Sequence, residues 1–270
     1  MVTARADGER RRLLYVAYFF PPLGGAGVQR TLKFVRYLAD FGWDATVVTG
    51  PASYWLRDDS LAEEVPSTVR VVRAPHWGSR FVGGGGSSTR RSASRIRGLR
   101  AVSRALLVPD AYVGWVAPTR RVLGDLVRAE RFDAVITTSS PDSTHLLGRW
   151  LHRSRHLPWI ADFRDPWTRR MSYAPPTELH HRVQRSLERS VLEEADRVVV
   201  TSDATRQDYL GLIPTLAPES IVTITNGFDE EDFAAAERWM RSAGLPDTRS
   251  AGVRCSMRGS STPSVRSTRI

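Results

Sequence analysis

The chain has 270 residues, of which 41% are hydrophobic, and its formal net charge at pH 7 is +10. This length and composition predict a globular protein with one large domain or two small ones. No apolar run approaches the ~20 residues of a membrane span, so a membrane-spanning protein is not predicted. Met1 to Arg12 is polar and lacks a signal-peptide apolar region. A single cysteine, Cys255, excludes an internal disulfide framework and predicts a cytoplasmic location.

The positive charge is concentrated in three stretches, residues 1–12, 79–104 and 241–270. The remaining sequence carries a small net negative charge, so we expect a mildly acidic folded body. It contains no basic helix and no patch of arginines interleaved with aromatic residues, and nucleic-acid binding is therefore not predicted.

The first predicted unit in chain order consists of a strand, a glycine loop and a helix. Leu13 to Phe20 is a continuous apolar run, typical of a strand buried on both faces, and Pro21-Pro22 ends it. Gly24, Gly25 and Gly27 follow, and apolar residues then recur at helical spacing. A glycine loop at a helix N-terminus is suited to a phosphate or diphosphate. A tight turn without a ligand is the alternative.

This loop does not match the dinucleotide fingerprint. Counting from Gly25, the position of the third glycine is occupied by Arg30. The second predicted strand, 45–49, ends in Gly50 and lacks the expected acidic residue. An NAD-linked dehydrogenase is therefore disfavoured.

The rest of the chain alternates between strand and helix patterns, which predicts an α/β fold with a doubly wound, parallel, Rossmann-like sheet. The predicted strands are 13–19, 45–49, 69–73, 132–138, 158–163, 197–201 and 221–225. The predicted helices are 26–41, 99–107, 117–130, 142–153, 177–194, 203–210 and 232–242.

Two stretches do not fit this alternation. Residues 78–100 are rich in Gly, Ser and Arg, and we expect a mobile loop that is either solvated or in contact with anionic lipid head groups. Residues 244–270 have no hydrophobic periodicity and are expected to be disordered. They are interpreted either as out-of-frame translation or as a natural tail.

Polar residues follow several of the predicted strands, at the edge where a doubly wound sheet binds its ligand. Asp162 and Asp165 flank Arg164 and are candidates for a general base, for positioning a sugar or phosphate, or for a simple ion pair, and Trp167 is a candidate stacking face. After another strand, Ser140 or Asp142 is expected to cap a helix, and His145 lies one turn further on. No histidine, cysteine or acidic cluster has metal-site spacing.

These stretches together resemble the N-terminal half of a GT-B glycosyltransferase of the retaining family-four type. The similarity lies in Phe20 to Gly27, Trp43 to Thr49, Thr138 to His145, Pro158 to Trp167, Val198 to Ser202 and Thr225 to Asp229. It implies a diphosphate- and substrate-binding set of Gly24, Gly25, Gly27, Asp110, Ser140, Arg164 and Asn226. It implies catalytic candidates Asp162, Asp165 and His145, with no metal and no cofactor. The segment from Asn226 to Asp229 resembles the crossing into the second domain.

The resemblance implies sugar transfer, with retention, from a nucleotide-sugar donor to a glycan, lipid-linked or small-molecule acceptor, as in polysaccharide biosynthesis. The expected organisation is a disordered N-terminus (1–11), an acceptor-side domain (12–233) and a short helix with a disordered tail (234–270). No Glu-x7-Glu donor region follows Asp229. We therefore expect a truncated chain with little activity, cytoplasmic or peripheral on the inner membrane face.

Two other interpretations stay open. The chain could be a non-catalytic acceptor-binding module, or half of a split enzyme that works with a separate donor-domain chain. It could also be a fragment of a nucleotide-sugar epimerase on the same GT-B fold.

Overall fold

The computed structural model describes residues 10–52, 56–77 and 107–244. The loop expected at 78–100, nearly all of the helix expected at 99–107 and the tail from residue 245 lie outside the described residues. The chain divides into two compact units, Met1–Asn226 and Gly227–Ile270.

The first unit contains a seven-stranded sheet in which every neighbouring pair is parallel, as the alternating pattern predicted. The strand order is β3-β2-β1-β4-β5-β6-β7. The strands are β1 (Arg11–Val16), β2 (Trp43–Thr49), β3 (Arg70–Arg73), β4 (Ala134–Thr138), β5 (Trp159–Phe163), β6 (Arg197–Val200) and β7 (Ile221–Thr223).

Six α-helices are described in this unit and a seventh in the second unit. They are α1 (Ala26–Leu38), α2 (Ser60–Glu63), α3 (Val116–Ala129), α4 (Thr144–Arg155), α5 (Glu178–Glu194), α6 (Asp203–Leu212) and α7 (Glu230–Ser242). Helix α2 is not among the helices predicted from the sequence. Of the helices described here, none combines the length and apolar character needed to cross a bilayer.

Both faces of the sheet are covered, which explains why β1 is apolar without alternation. Leu14 and Val16 point into a core that includes buried residues of α3, α4, α5 and α6. Leu13 and Tyr15 point into a second core with buried residues of α1 and α2. Each side chain from Leu13 to Val16 faces one core or the other, so these four positions are apolar, whereas Arg11 and Arg12 at the start of the strand are exposed.

The position of β1 between β2 and β4 fixes where a ligand can bind. The chain first builds the sheet from β1 towards β3 and then returns to the other side of β1 with β4. In such a sheet the loops after the two adjacent strands diverge and open a crevice at the carboxyl edge. The glycine loop follows β1 at this edge, and Ser140 follows β4.

Within the second unit, Asp229 is the N-cap residue of α7, and its carboxylate accepts a hydrogen bond from the Glu231 amide at 3.0 Å. The rings of Phe228 and Phe233 pack edge to face with centroids 5.5 Å apart. The helix starts two residues before the predicted 232–242.

Candidate functional site

The glycine loop leads directly into α1, as the sequence predicted. Gly25 is the N-cap residue with φ of 103°, a backbone conformation that favours glycine. The first turn of α1 carries no acidic side chain, and no side chain caps its N-terminus. The amide groups of this turn therefore keep their affinity for an external anion.

Arg164 lies against this helix N-terminus. A Cβ atom added to Gly27 would collide with Nη1 of Arg164, so glycine is required for the guanidinium to occupy this position. The side chain of Arg164 is 19% exposed and its Nε lies 3.6 Å from Oδ2 of Asp165, which is 52% exposed. A cation and a helix N-terminus thus converge where the sequence predicted a diphosphate.

Asp162 is enclosed by hydrogen-bond donors. It is the fourth residue of β5, inside the predicted strand 158–163, and it is 1% exposed. Nη2 of Arg30 donates to Oδ1 at 3.0 Å, and Oγ1 of Thr138 donates to Oδ2 at 2.7 Å. Both carboxylate oxygens are therefore engaged, which favours a structural role, and its assignment as a catalytic residue stays a prediction.

Asn226 is held by the same arginine. Nη1 of Arg30 donates to Oδ1 of Asn226 at 3.2 Å and to the carbonyl oxygen of Thr225 at 3.2 Å. Asn226 is the last residue of the first unit. The structure thereby connects the predicted diphosphate-binding Asn226 to the helix that follows the glycine loop.

Asp110 organises the start of α4. Its carboxylate accepts from the Ser143 amide at 2.8 Å, from the Ser143 hydroxyl at 2.9 Å and from the Tyr112 amide at 2.8 Å. Burial raises the pKa of Asp110, and these hydrogen bonds oppose that rise. The carboxylate predicted to lie near the acceptor is thus committed to backbone and hydroxyl partners.

Asp142 pairs with an arginine rather than capping α4. Its two oxygens accept from Nη1 and Nη2 of Arg170 at 3.1 and 2.7 Å, and the N-cap position belongs to Ser143. Burial raises the pKa of Asp142 to about 7, although the neighbouring guanidinium favours the charged form. The expectation that Ser140 or Asp142 caps this helix was wrong.

His145 lies in the core. Its ring is fully buried, its Nδ1 lies 2.9 Å from Oγ1 of Thr137, and it stacks on Phe163 with centroids 4.5 Å apart. Burial lowers the pKa of His145 to about 3, so the imidazole is neutral at physiological pH. Nothing in this geometry supports the predicted catalytic role, which stays a prediction.

Trp167 and Ser140 differ in accessibility. Trp167 is fully buried and its Nε1 donates to Oε1 of Gln184 at 2.6 Å, so the expectation of an open stacking face was wrong. Ser140 is half-buried in the turn between β4 and α4. It is therefore partly accessible to solvent.

An aromatic cluster near the same edge escaped the sequence prediction. The ring of Tyr18 packs edge to face against Phe19, Tyr112 and Trp115, with centroids 4.6 to 5.2 Å apart. Its hydroxyl lies 2.7 Å from Nδ1 of His76, whose pKa is lowered by burial. Phe19 and Tyr112 are half-buried, so part of each side chain is accessible to solvent.

Arg30 and Arg170 were also missed. One signal for Arg30 was available, because it occupies the third-glycine position of the dinucleotide pattern, where a helix packs closest to the sheet. Arg170 had no signal, since it lies in an irregular segment between β5 and α5. Among the described residues, no three His, Cys, Asp or Glu side chains form a group that could hold a metal.

A family model described as a glycosyl transferase 4-like domain matches residues 24–227. No curated protein matches the sequence.

Two solved structures share the fold. Sucrose-phosphate synthase from Thermosynechococcus elongatus matches with a TM-score of 0.54 and 15% identity, over 88% of this chain and 53% of the synthase. Arabidopsis thaliana UGT89C1, complexed with UDP-L-rhamnose, matches with a TM-score of 0.51 and 15% identity, over 88% of this chain and 55% of that protein. The chain therefore spans about half the length of each of these two structures.

Proposed function

This chain belongs to the glycosyl transferase 4-like family, and from that premise we propose that it provides the acceptor-side half of a transferase acting on a nucleotide-sugar donor. The Rossmann-like sheet and the resemblance to GT-B glycosyltransferases support this proposal. Arabidopsis UGT89C1, which shares this fold, is complexed with the nucleotide sugar UDP-L-rhamnose. The acceptor is proposed to be a glycan, a lipid-linked sugar or a small hydroxylated molecule.

One observation carries the proposal: the glycine loop and Arg164 meet at the carboxyl edge of the sheet. When a sugar leaves a nucleotide diphosphate, negative charge grows on the departing oxygen. The amide groups of α1 around Gly25 and Gly27, together with Arg164, supply positive potential to stabilise that charge. Gly24 is buried beside this turn, and its amide donates to the carbonyl oxygen of Leu56 at 3.1 Å.

The acceptor is proposed to lie beside this site. Asp165 is the exposed carboxylate nearest to Arg164 in sequence and is proposed to accept a hydrogen bond from the reacting hydroxyl. Ser140 and the half-buried rings of Phe19 and Tyr112 form the neighbouring wall. Asp110, Asp162 and His145 are proposed to support this wall from behind.

The proposal is tested first by binding and then by transfer. In an NMR titration of the 270-residue chain with pyrophosphate and then UDP, we expect the amide signals of Gly24, Gly25 and Gly27 to shift. The variant Arg164→Ala should weaken binding, whereas Arg128→Ala, which removes an exposed arginine at the far end of α3, should leave it unchanged.

Transfer of a labelled sugar is the second test. We expect little product from this chain alone, and turnover when a donor domain is supplied in the same protein or as a separate chain. Pyrophosphate and UDP shifts that avoid the glycine loop would contradict the proposal. So would unchanged binding in Arg164→Ala.

A further inference from the structure

Arg30 joins three parts of the first unit through one guanidinium group. It lies in the second turn of α1, shortly after the glycine loop, and its side chain is 6% exposed. Nε and Nη2 donate to the carboxylate of Asp162 at the end of β5. Nη2 also donates to the carbonyl oxygen of Ile224 at 3.0 Å.

The remaining N–H groups of Arg30 are also used. Nη1 donates to the Thr225 carbonyl and to Oδ1 of Asn226. An arginine side chain has five N–H donors in a fixed plane, and here each has an acceptor. Lysine, with three donors on one atom, cannot reproduce this set.

The segment that Arg30 holds has little other support. The ladder of β7 ends at Thr223, and Ile224 adds one hydrogen bond from its amide to the Val200 carbonyl at 2.8 Å. Ile224, Thr225 and Asn226 are all exposed. Among the described residues, the further hydrogen bonds of this segment come from Arg30.

The contact with Asn226 determines which way its amide points. Arginine can only donate, so the atom that faces Nη1 must be the oxygen of the amide. The NH₂ group of Asn226 then points away from Arg30. An exposed NH₂ group is a hydrogen-bond donor available to an anion.

We propose that Arg30 is a positioning residue that fixes the Asn226 amide so that its NH₂ group donates to the donor diphosphate. This inference rests on the proposed function, in which the diphosphate binds at the glycine loop of the same unit. Arg30 itself stays buried and acts through Asn226. The Asp162 carboxylate neutralises the charge of the Arg30 guanidinium group and holds that group in one orientation.

A double-mutant cycle with pyrophosphate as the probe tests this role, with binding followed by NMR. We expect Asn226→Ala to weaken binding about tenfold, the effect of losing one hydrogen bond to a charged group. Arg30→Lys should weaken binding by a similar factor in the original chain and should have no further effect in the Asn226→Ala background. Equal effects of Arg30→Lys in both backgrounds would overturn the proposal.

Asn226→Asp separates the two ends of this interaction. The aspartate still accepts from Arg30 but has lost the NH₂ donor, so we expect pyrophosphate binding to fall at least as far as in Asn226→Ala. Retained binding in Asn226→Asp would also overturn the proposal. Because Asn226 is exposed, this variant still tests the proposal if Arg30→Lys does not fold.

A ligand-free measurement separates this inference from the proposed function. Arg30→Lys should speed hydrogen exchange of the Ile224 amide, whereas the matched control Arg206→Lys should speed it less, because Arg206 binds the carbonyls of Pro218 and Ile221. If the original chain binds no pyrophosphate, both the proposed function and the proposed role of the Asn226 amide are overturned. If it binds but the cycle is additive, only the positioning role is overturned.

Discussion

Two polar clusters at the carboxyl edge of the sheet differ in whether their polar groups are bound by the protein or accessible to solvent. The sealed cluster, around β4 and α4, consists of Asp110, Asp142, Ser143, His145 and Arg170. The open cluster, around the glycine loop, consists of Gly24, Gly25, Gly27, Arg164, Asp165 and Asn226. In the sealed cluster the carboxylates are bound by protein donors. In the open cluster, a helix N-terminus, a guanidinium and an amide are arranged with access to solvent.

This difference indicates that a polar residue after a strand can either stabilise the fold or bind a ligand. Its hydrogen-bond partners distinguish the two roles. Variants of the sealed cluster are therefore expected to change stability strongly. Variants of the open cluster are expected to change anion binding with little change in stability.

The largest effect is expected for Asp110→Ala. It leaves the Ser143 amide, the Ser143 hydroxyl and the Tyr112 amide without their acceptor. We expect the free energy of unfolding to fall by about 3 kcal/mol, measured by urea denaturation. The control Asp165→Ala should change it by less than about 0.5 kcal/mol. Equal losses in the two variants would remove the distinction between the clusters.

The pH dependence of His145→Asn comes next in size. Because the pKa of His145 is about 3 in the folded chain and about 6.5 when exposed, only the unfolded chain binds the proton between these values. Stability from this residue is therefore present above about pH 6.5 and is lost as the pH falls. Between about pH 6.5 and 4.5, we expect the free energy of unfolding of His145→Asn to fall by about 2 kcal/mol less than that of the original chain.

Asp142→Asn supplies the opposite sign in the same experiment. The pKa of Asp142 is raised to about 7, so the folded chain gains stability from this residue as the pH falls from about 7 towards 4. Its removal should steepen the acid-induced loss that His145→Asn reduces. Parallel pH profiles in both variants would contradict the burial of these groups.

A smaller effect is expected for Gly27→Ala. Alanine favours a helix over glycine by up to about 1 kcal/mol, but the new methyl group collides with Arg164 and displaces it. We expect almost unchanged stability and weaker pyrophosphate binding. In the matched control Gly211→Ala, the methyl group of α6 meets no atom within 4 Å, so stability should rise and binding should not change.

The smallest effect is expected for Asp165→Asn. Its ion pair with Arg164 is long and half-exposed, so stability should change by less than about 0.5 kcal/mol. Pyrophosphate should bind about twofold more tightly, because a competing negative charge is removed. A titration at low salt measures this. Weaker binding would show that Asp165 itself holds the anion site together.

The fold was predictable because its signals are local. The apolar run of β1, the glycine loop and the helical spacing of Val28, Leu32 and Val35 each identify an element without reference to distant residues. All seven strands were predicted, with ends that differ by a few residues.

The partners of the polar residues were not predictable, because they come from distant segments. Asp162 is separated from Arg30 by 132 residues, and Asn226 from Arg30 by 196. Sequence reasoning identified Asp162 and His145 as polar residues near the edge, but not that the first is enclosed and the second neutral in the core. Burial and pairing are properties of the assembled sheet.

The central position of β1 also has a kinetic consequence. The amide of Arg12 at its start is bonded to the carboxylate of Asp133, which lies 121 residues later, and β4 begins at the next residue. Closing so long a loop costs chain entropy before the strand contacts can compensate for it. We expect docking of β4 on β1 to limit the folding rate. Until β4 has been synthesised, a nascent chain exposes one edge of its most apolar strand.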